Sequence, residues 1–489
     1  MSRINTNVPA LTAIRQLNAN NNSLSRSLER LSSGLRINRG ADDPAGLIAS
    51  ESLRSEIRGL NAAVSNSERT INVVSTTDAA LGEVSKLLLD IKGLVVQTAN
   101  DGALSRSEIE ANQLQIDSLL DSVNRIANTT QFNGKKLLNG NLSYTVDAQD
   151  TSKLARLQVF GANVPAGSTL PVSVQITQSA QTASLLITSA EAGLSGTVLS
   201  NSITLEVTGN LGTEIFTFNS GTTISTIASA IIASKDSTGV SAAANSAAST
   251  LNFNSTKFGS DEFVSIRTIN GSFDVQPPPS STGSVDFELD KGRDAGVIIN
   301  GQQAAVKNGF TASTRNGGLD LVVDLTQSFG TSAAGATTSF TITGGGANFQ
   351  IGPNVNGDGR VSIGITSTAA TNLGSASAGF LNDLGSSGTA NILDSTNLSK
   401  AEDIIGAAIS QVSTLSGRLG GFQANQVETN LNSLRVALEN VTASESSIRD
   451  TDFASEAANL TRAQILQQST TQILVRANQL PQSVLALLR

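Results

Sequence analysis

Residues 14–35 read IRQLNANNNSLSRSLERLSSGL. Ile14, Leu17, Asn21, Leu24, Leu28, Leu31 and Leu35 recur at alternating spacings of three and four. That is the period of a helix with one apolar seam. The far end repeats it. Residues 466–487 read LQQSTTQILVRANQLPQSVLAL, with Leu466, Thr470, Ile473, Ala477, Leu480, Val484 and Leu487 in the same rhythm. A single amphipathic helix cannot bury its stripe alone. The two ends are therefore expected to pair, and apolar surface left over is expected to meet other molecules.

Between the seams the period changes twice. Asp43 suits a helix cap and Pro44 a first helical residue. A long helix is predicted over 45–98, with Leu53, Ile57, Leu60, Val64, Ser67, Ile71, Val74, Asp78 and Leu81 in phase, then one slip before Val84. A third helix is predicted over 105–128. From 141 to 395 the pattern is strand-like: Ile203, Leu205 and Val207 alternate with polar residues. A short helix at 223–234 completes a ββαββ-like unit. Asn300-Gly301 marks a hairpin turn, and Pro277-Pro278-Pro279 reads as a stiff linker. Helical period returns near 397. Ala408 to Phe422 forms one run and Val427 to Ile448 another. Pro481 is expected to kink or restart the last helix.

The expected fold class is α+β: a long antiparallel coiled-coil rod formed by both chain ends, with a large β-rich insertion in the middle. The expected divisions are 1–40, 41–140, 141–395 (as 141–276 and 280–395), 396–449 and 450–489.

Composition narrows the chemistry. The 489 residues include no Cys and no His. That removes disulfides, zinc fingers, HExxH sites and histidine-based triads. A net charge of −8 argues against nucleic acid. No run approaches twenty apolar residues, so no membrane insertion is expected. The N-terminus lacks an apolar run of signal-peptide type. No paired acidic motif stands out, so neither enzyme activity nor a cofactor is expected. Asn354-x-Asn356-x-Asp358-Gly359 resembles half a calcium loop, but Ile365 stands where a bidentate Glu is needed, so the reading is a polar turn.

Several motifs are more specific than any period: Glu29-Arg30-Leu31-Ser32-Ser33-Gly34-Leu35-Arg36-Ile37-Asn38, Asp42-Asp43-Pro44-Ala45-Gly46-Leu47, Gln131-Phe132-Asn133-Gly134-Lys135-Lys136-Leu137-Leu138, Ser447-Ile448-Arg449-Asp450-Thr451-Asp452-Phe453-Ala454, and the tail from Ala477 to Arg489. Over 1–140 and 397–489 the chain resembles bacterial flagellin. That resemblance implies a structural subunit that polymerises into the flagellar filament, with a hook–filament junction protein as the alternative. It implies a homopolymer outside the cell, exported without a cleaved signal. The implied partners are an export chaperone, the export apparatus, the filament cap and hook-junction proteins. The terminal seams become self-assembly candidates. Asn21 and Thr470 read either as register-setting residues or as partly solvated gaps. Asp42 and Asp43 read as a cap and as a candidate contact between subunits.

The resemblance also points to Leu88, Asp90, Ile91, Gly93 and Leu94, where many flagellins meet a vertebrate innate immune receptor. The family pattern has Arg in place of Asp90 and Glu in place of Gly93. One charge is inverted here and the other lost, so only a weak receptor contact is expected.

Overall fold

The computed structural model describes residues 6–100, 102–164, 168–188, 194–195, 197–246, 249–271, 289–316 and 318–487, with only the backbone from 480 onward. The expected polyproline linker at 277–279 lies outside the described residues, as do the side chains of Leu480, Val484 and Leu487.

In chain order the helices are α1 (Val8–Ser33), α2 (Pro44–Thr98), α3 (Arg106–Thr129), α4 (Ile224–Ala233), the short α5 (Lys235–Thr238) and α6 (Gln327–Gly330), α7 (Leu398–Phe422), α8 (Thr429–Arg449) and α9 (Phe453–Leu487). None of those described is long and apolar enough to cross a membrane. The chain divides into two compact units. One comprises Met1–Arg69, Gln350–Arg360 and Gln426–Arg489; the other comprises Thr70–Phe349 and Val361–Asn425. The α+β class holds: terminal helices enclose, in sequence, a strand-rich middle.

The terminal unit contains two antiparallel helix pairings. Asn7 meets Ala477 and Arg30 meets Glu456, which sets α1 against α9 head to tail. Leu60 and Ala63 of α2 pack with Leu434 of α8, flanked by Val64, Leu438 and Val441. Arg435–Glu68 and Arg449–Glu51 ion pairs run along the same α2–α8 pairing at 2.8 and 2.7 Å.

The buried face of α2 runs Leu60, Ala63, Ser67, Thr70, Val74, Thr77, Leu81, Val84, Leu88, Ile91, Val95 and Thr98. Its three–four rhythm never breaks. The expected slip arose from taking Val64, Ile71 and Asp78 as seam residues; the structure buries Ala63, Thr70 and Thr77 instead. Hydroxyls can occupy a seam because they bond to their own helix. Ser67 Oγ donates to Ala63 O, Thr77 Oγ1 to Val73 O and Thr98 Oγ1 to Leu94 O, each at 2.8 Å.

Another break in sequence pattern is a real structural feature. Phe422 and Val427 are five residues apart, which separates two helical runs by pattern. The backbone takes up the extra residue as a π-helical turn, Gln423–Glu428, so helix continues from Leu398 to Arg449. At Pro481 helical backbone runs on to Leu487 without a restart.

The middle unit holds a sandwich and a module nested within it. One sheet has the order Gln302–Gln303, Gly296–Ile299, Leu170–Gln178, Thr337–Gly345, Tyr144–Asp147. The other has Ala305–Lys307, Thr311–Asn316, Leu319–Leu325, Leu154–Ala162. Val172, Val174, Ile176, Val297 and Phe340 share one core with Leu154, Leu321 and Val323. The expected split into 141–276 and 280–395 is therefore corrected: strands from both stretches pair within each sheet.

The nested module has its own core of Leu185, Leu205, Ile227, Ile231, Phe253 and Val264. Ile203–Gly209, Thr213–Phe218, α4, Thr250–Ser255 and Phe263–Asn270 match the expected ββαββ unit. The strand Val240–Asn245 was not anticipated, because VSAAAN lacks the bulky alternation that marks a strand. Asn300 and Gly301, at φ +48° and +78°, make the expected hairpin turn.

Candidate assembly interface

The α1–α9 seam interleaves small and polar side chains with leucines. On α1 the inward positions are Ala10, Ala13, Leu17, Asn20, Leu24, Ser27 and Leu31; on α9 they are Glu456, Leu460, Ala463, Gln467, Thr470, Leu474 and Ala477. Both series alternate three and four. Four contacts set their antiparallel register: Asn7 with Ala477, Asn20 with Thr470, Asn21 with Gln467 and Arg30 with Glu456, an alignment that brings Leu24 to the level of Ala463. Small residues let the two backbones approach closely, at the cost of apolar area.

Alternate positions of the expected stripe are displaced by one residue. Leu17, Leu24 and Leu31 are on the seam and half-buried; Thr470 and Ala477 are on it and buried. Ile14, Leu28, Leu466 and Ile473 are not; they stay 43%, 50%, 45% and 55% exposed. Leu35 lies beyond the helix, since α1 ends at Gly34 in a left-handed cap with φ +74°. Asn21 sits beside the seam, its Oδ1 accepting from Gln467 Nε2 at 3.0 Å. The residue hydrogen-bonded to Thr470 is its neighbour Asn20: Nδ2 donates to Thr470 Oγ1 at 2.7 Å. On α1 hydropathy picks Ile14 and Leu28, whereas the close-packed pair buries their smaller neighbours Ala13 and Ser27.

Heptad geometry places the displaced residues. In an antiparallel pair, flanking positions on one edge carry the same heptad letter. Ile14, Asn21 and Leu28 share one edge with Gln464, Thr471 and Asn478. Leu466 and Ile473 share the other with Gln16 and Ser23. The pair thus presents two different edges, each with a row of large apolar side chains in the open.

The linkers between these helices and their neighbours form a clasp. Arg36 N donates to Arg449 O at 2.7 Å, and Thr451 N to Gly34 O at 2.9 Å, with Leu35 opposite Asp450 in an antiparallel bridge. Asp43 Oδ1 accepts from Gly46 N at 2.9 Å and caps α2. The turn packs so tightly that a Cβ on Gly46 would come within 2.4 Å of Asp43 Oδ2 and 2.7 Å of Ile37 Cδ1. Asp42 Oδ2 accepts from the backbone N–H of Arg39 at 3.0 Å and of Asn38 at 3.2 Å. The Arg39 bond foremost holds its carboxyl below the ordinary 3.8, against a smaller opposing push from burial.

The segment over 88–94 divides by face. Leu88 and Ile91 are fully buried core residues and cannot touch a partner without unfolding. Asp90 and Gly93 are exposed and Leu94 is half-buried. A Cβ at Gly93 would meet open space. At the calcium-like turn, Asn356 Oδ1 accepts from Gly359 N at 2.8 Å, and Gln350 Nε2 donates to Asn354 O at 2.7 Å.

The acid limb of stability follows from Asp42. A carboxyl lowered by folding contributes fully above 3.8, and that contribution is lost as pH falls from there through the lower folded value. Asp42→Asn is expected to cost about 0.5–1 kcal/mol at neutral pH, discounted for exposure. It should also flatten the loss below about pH 4. Urea titrations across pH 2.5–7 check both; an unchanged acid limb contradicts the turn's role.

Comparison with known proteins agrees with this architecture. The model of the bacterial flagellin N-terminal helical region matches residues 4–143, that of the C-terminal helical region residues 402–488, and the flagellin hook IN motif residues 204–257. A flagellin of Clostridium tyrobutyricum is 30% identical over 479 residues, covering 97% of this chain and 99% of its own. A flagellin of Salmonella rubislaw is 30% identical over 516 residues, covering 99% of each. Flagellin A of Helicobacter pylori is 29% identical over 521 residues, again covering 99% of each. With relatives spanning essentially the full length of both chains, this chain belongs to the bacterial flagellin family and is a structural subunit of the flagellar filament.

Proposed function

We propose that successive copies join through the two apolar edges of the α1–α9 pair. The observation that carries this reading is the placement of Ile14, Leu28, Leu466 and Ile473 in the open, beside a seam that buries alanine, serine and threonine. Fully burying one such side chain contributes roughly 1.5–3 kcal/mol. About half of each is still exposed, so each row keeps apolar area to offer a neighbour. The edges are unlike each other, so one edge of a copy meets the opposite edge of the next. Such heterologous contacts propagate into a helical polymer. Asp42 and Asp43 take a secondary place here, since their carboxylates are already engaged in the turn and the cap.

A small-residue seam also makes the terminal pair marginal alone. It orders as neighbours cover its edges. The same softness suits a chain that crosses the flagellar export apparatus unfolded, with a chaperone over its apolar ends. In this reading the chain leaves the cell without a cleaved signal. It adds beneath the filament cap, beyond the hook-junction proteins, and works by packing rather than catalysis.

A glutamate at either edge tests the reading. Leu28→Glu and Ile473→Glu replace exposed residues, so the folded middle should keep its stability within about 0.5 kcal/mol. The critical concentration for salt-induced polymerisation should rise at least about tenfold, or filaments disappear. Wild-type polymerisation of both variants would refute the edges.

The receptor contact remains weak in this proposal, carried by Asp90, Gly93 and part of Leu94. A cell reporter given monomer is expected to respond feebly, and Asp90→Arg with Gly93→Glu should raise the response. Potent activation by the unaltered chain would contradict it.

A further inference from the structure

The α1–α9 seam repeats every seven residues on both helices. Leu17, Leu24 and Leu31 recur on α1; Leu460, Gln467 and Leu474 recur on α9. Sliding one helix by seven residues therefore keeps nearly every apolar position on the seam. Apolar packing alone does not choose between these alignments.

The polar layer does choose. Asn20 and Thr470 are each only 6% exposed. Thr470 Oγ1 donates its own proton to Leu466 O one turn back, so it is left as an acceptor, and Asn20 Nδ2 supplies the donor. Gln467 Nε2 donates to Asn21 Oδ1 alongside. A slide of seven residues puts Ala477 or Ala463 where Thr470 stands, and neither side chain can accept a hydrogen bond. Either way its amide would be buried without its acceptor.

We propose that Asn20 and Thr470 are the register-determining residues of filament assembly. They admit one alignment of the terminal pair and reject those seven residues away. A slip of seven residues moves one edge against the other by about 10 Å. A slipped copy would then present rows at the wrong height for the next copy and stop growth. The effect on growth rests on the edge reading above; the register itself does not.

The chain has no cysteine, so introduced pairs report alignment cleanly. Ala463→Cys is combined with Leu24→Cys for the observed register, and with Leu31→Cys or Leu17→Cys for slides in either direction. Polymerised protein is oxidised and intramolecular disulfides are read on non-reducing gels. In the otherwise native chain only the Leu24 partner is expected to cross-link. In Asn20→Leu/Thr470→Leu the slipped pairs should gain about tenfold, the effect of removing one buried hydrogen-bond preference, and mean filament length should fall. Should that variant precipitate, Asn20→Ala/Thr470→Ala gives the same readout without added apolar bulk. Exchanging the pair, Asn20→Thr/Thr470→Asn, should restore the single register. Slipped pairs that stay uncross-linked in both the Leu and the Ala variants would overturn the proposal. Slipped cross-links with normal filament length would leave the register assignment standing and count against the edges.

Discussion

The close approach of antiparallel helices through small side chains governs the terminal unit. In the α1–α9 seam Ala10, Ala13, Asn20, Ser27, Ala463, Thr470 and Ala477 are the most buried positions, and the inward leucines between them stay half-buried. Such a seam tolerates hydroxyls because a hydroxyl can return its proton to a carbonyl one turn back, as those of Ser67 and Thr470 do. The consequence lies at the edges. Large apolar residues that a tight seam cannot hold are pushed to its flanks, and there they can serve only another molecule.

Two devices keep this arrangement from drifting. The linkers on either side of the terminal pair are stitched to each other by the Arg36–Arg449 and Gly34–Thr451 backbone bonds. The left-handed cap at Gly34 and the crowded turn at Gly46 fix where the helices stop and restart. The clasp anchors one end of the pair, and the Asn20–Thr470 layer, near its centre, sets the alignment. Neither contributes much apolar burial. Both restrict the number of ways the pair can close, which matters more in a polymer than in a lone subunit.

Helix extents were legible from the sequence because capping residues and period both mark them. Asp43-Pro44 opens α2, and Asn300-Gly301 closes its hairpin for an equally local reason. The phase of the α1 seam was not legible, because hydropathy ranks Leu28 above Ser27 and Ile14 above Ala13, while close packing ranks them the other way. Nesting in the middle was also hidden. Leu170–Gln178 pairs with Gly296–Ile299 across a whole intervening module, and nothing local in either strand announces that partner. The π turn lies between these cases: the five-residue step from Phe422 to Val427 is visible, but a broken helix and a bulged one share it.

The central claim is that the seam closes within a chain and the edges close between chains. A near-atomic cryo-electron microscopy reconstruction of the assembled filament tests it most directly. The account predicts Asn20 against Thr470 of the same copy, with Ile14 and Leu28 packed on a neighbour's Leu466 and Ile473. Edges facing solvent, or Ile14 and Leu28 rather than Ala13 and Ser27 facing the same copy's α9, would contradict it.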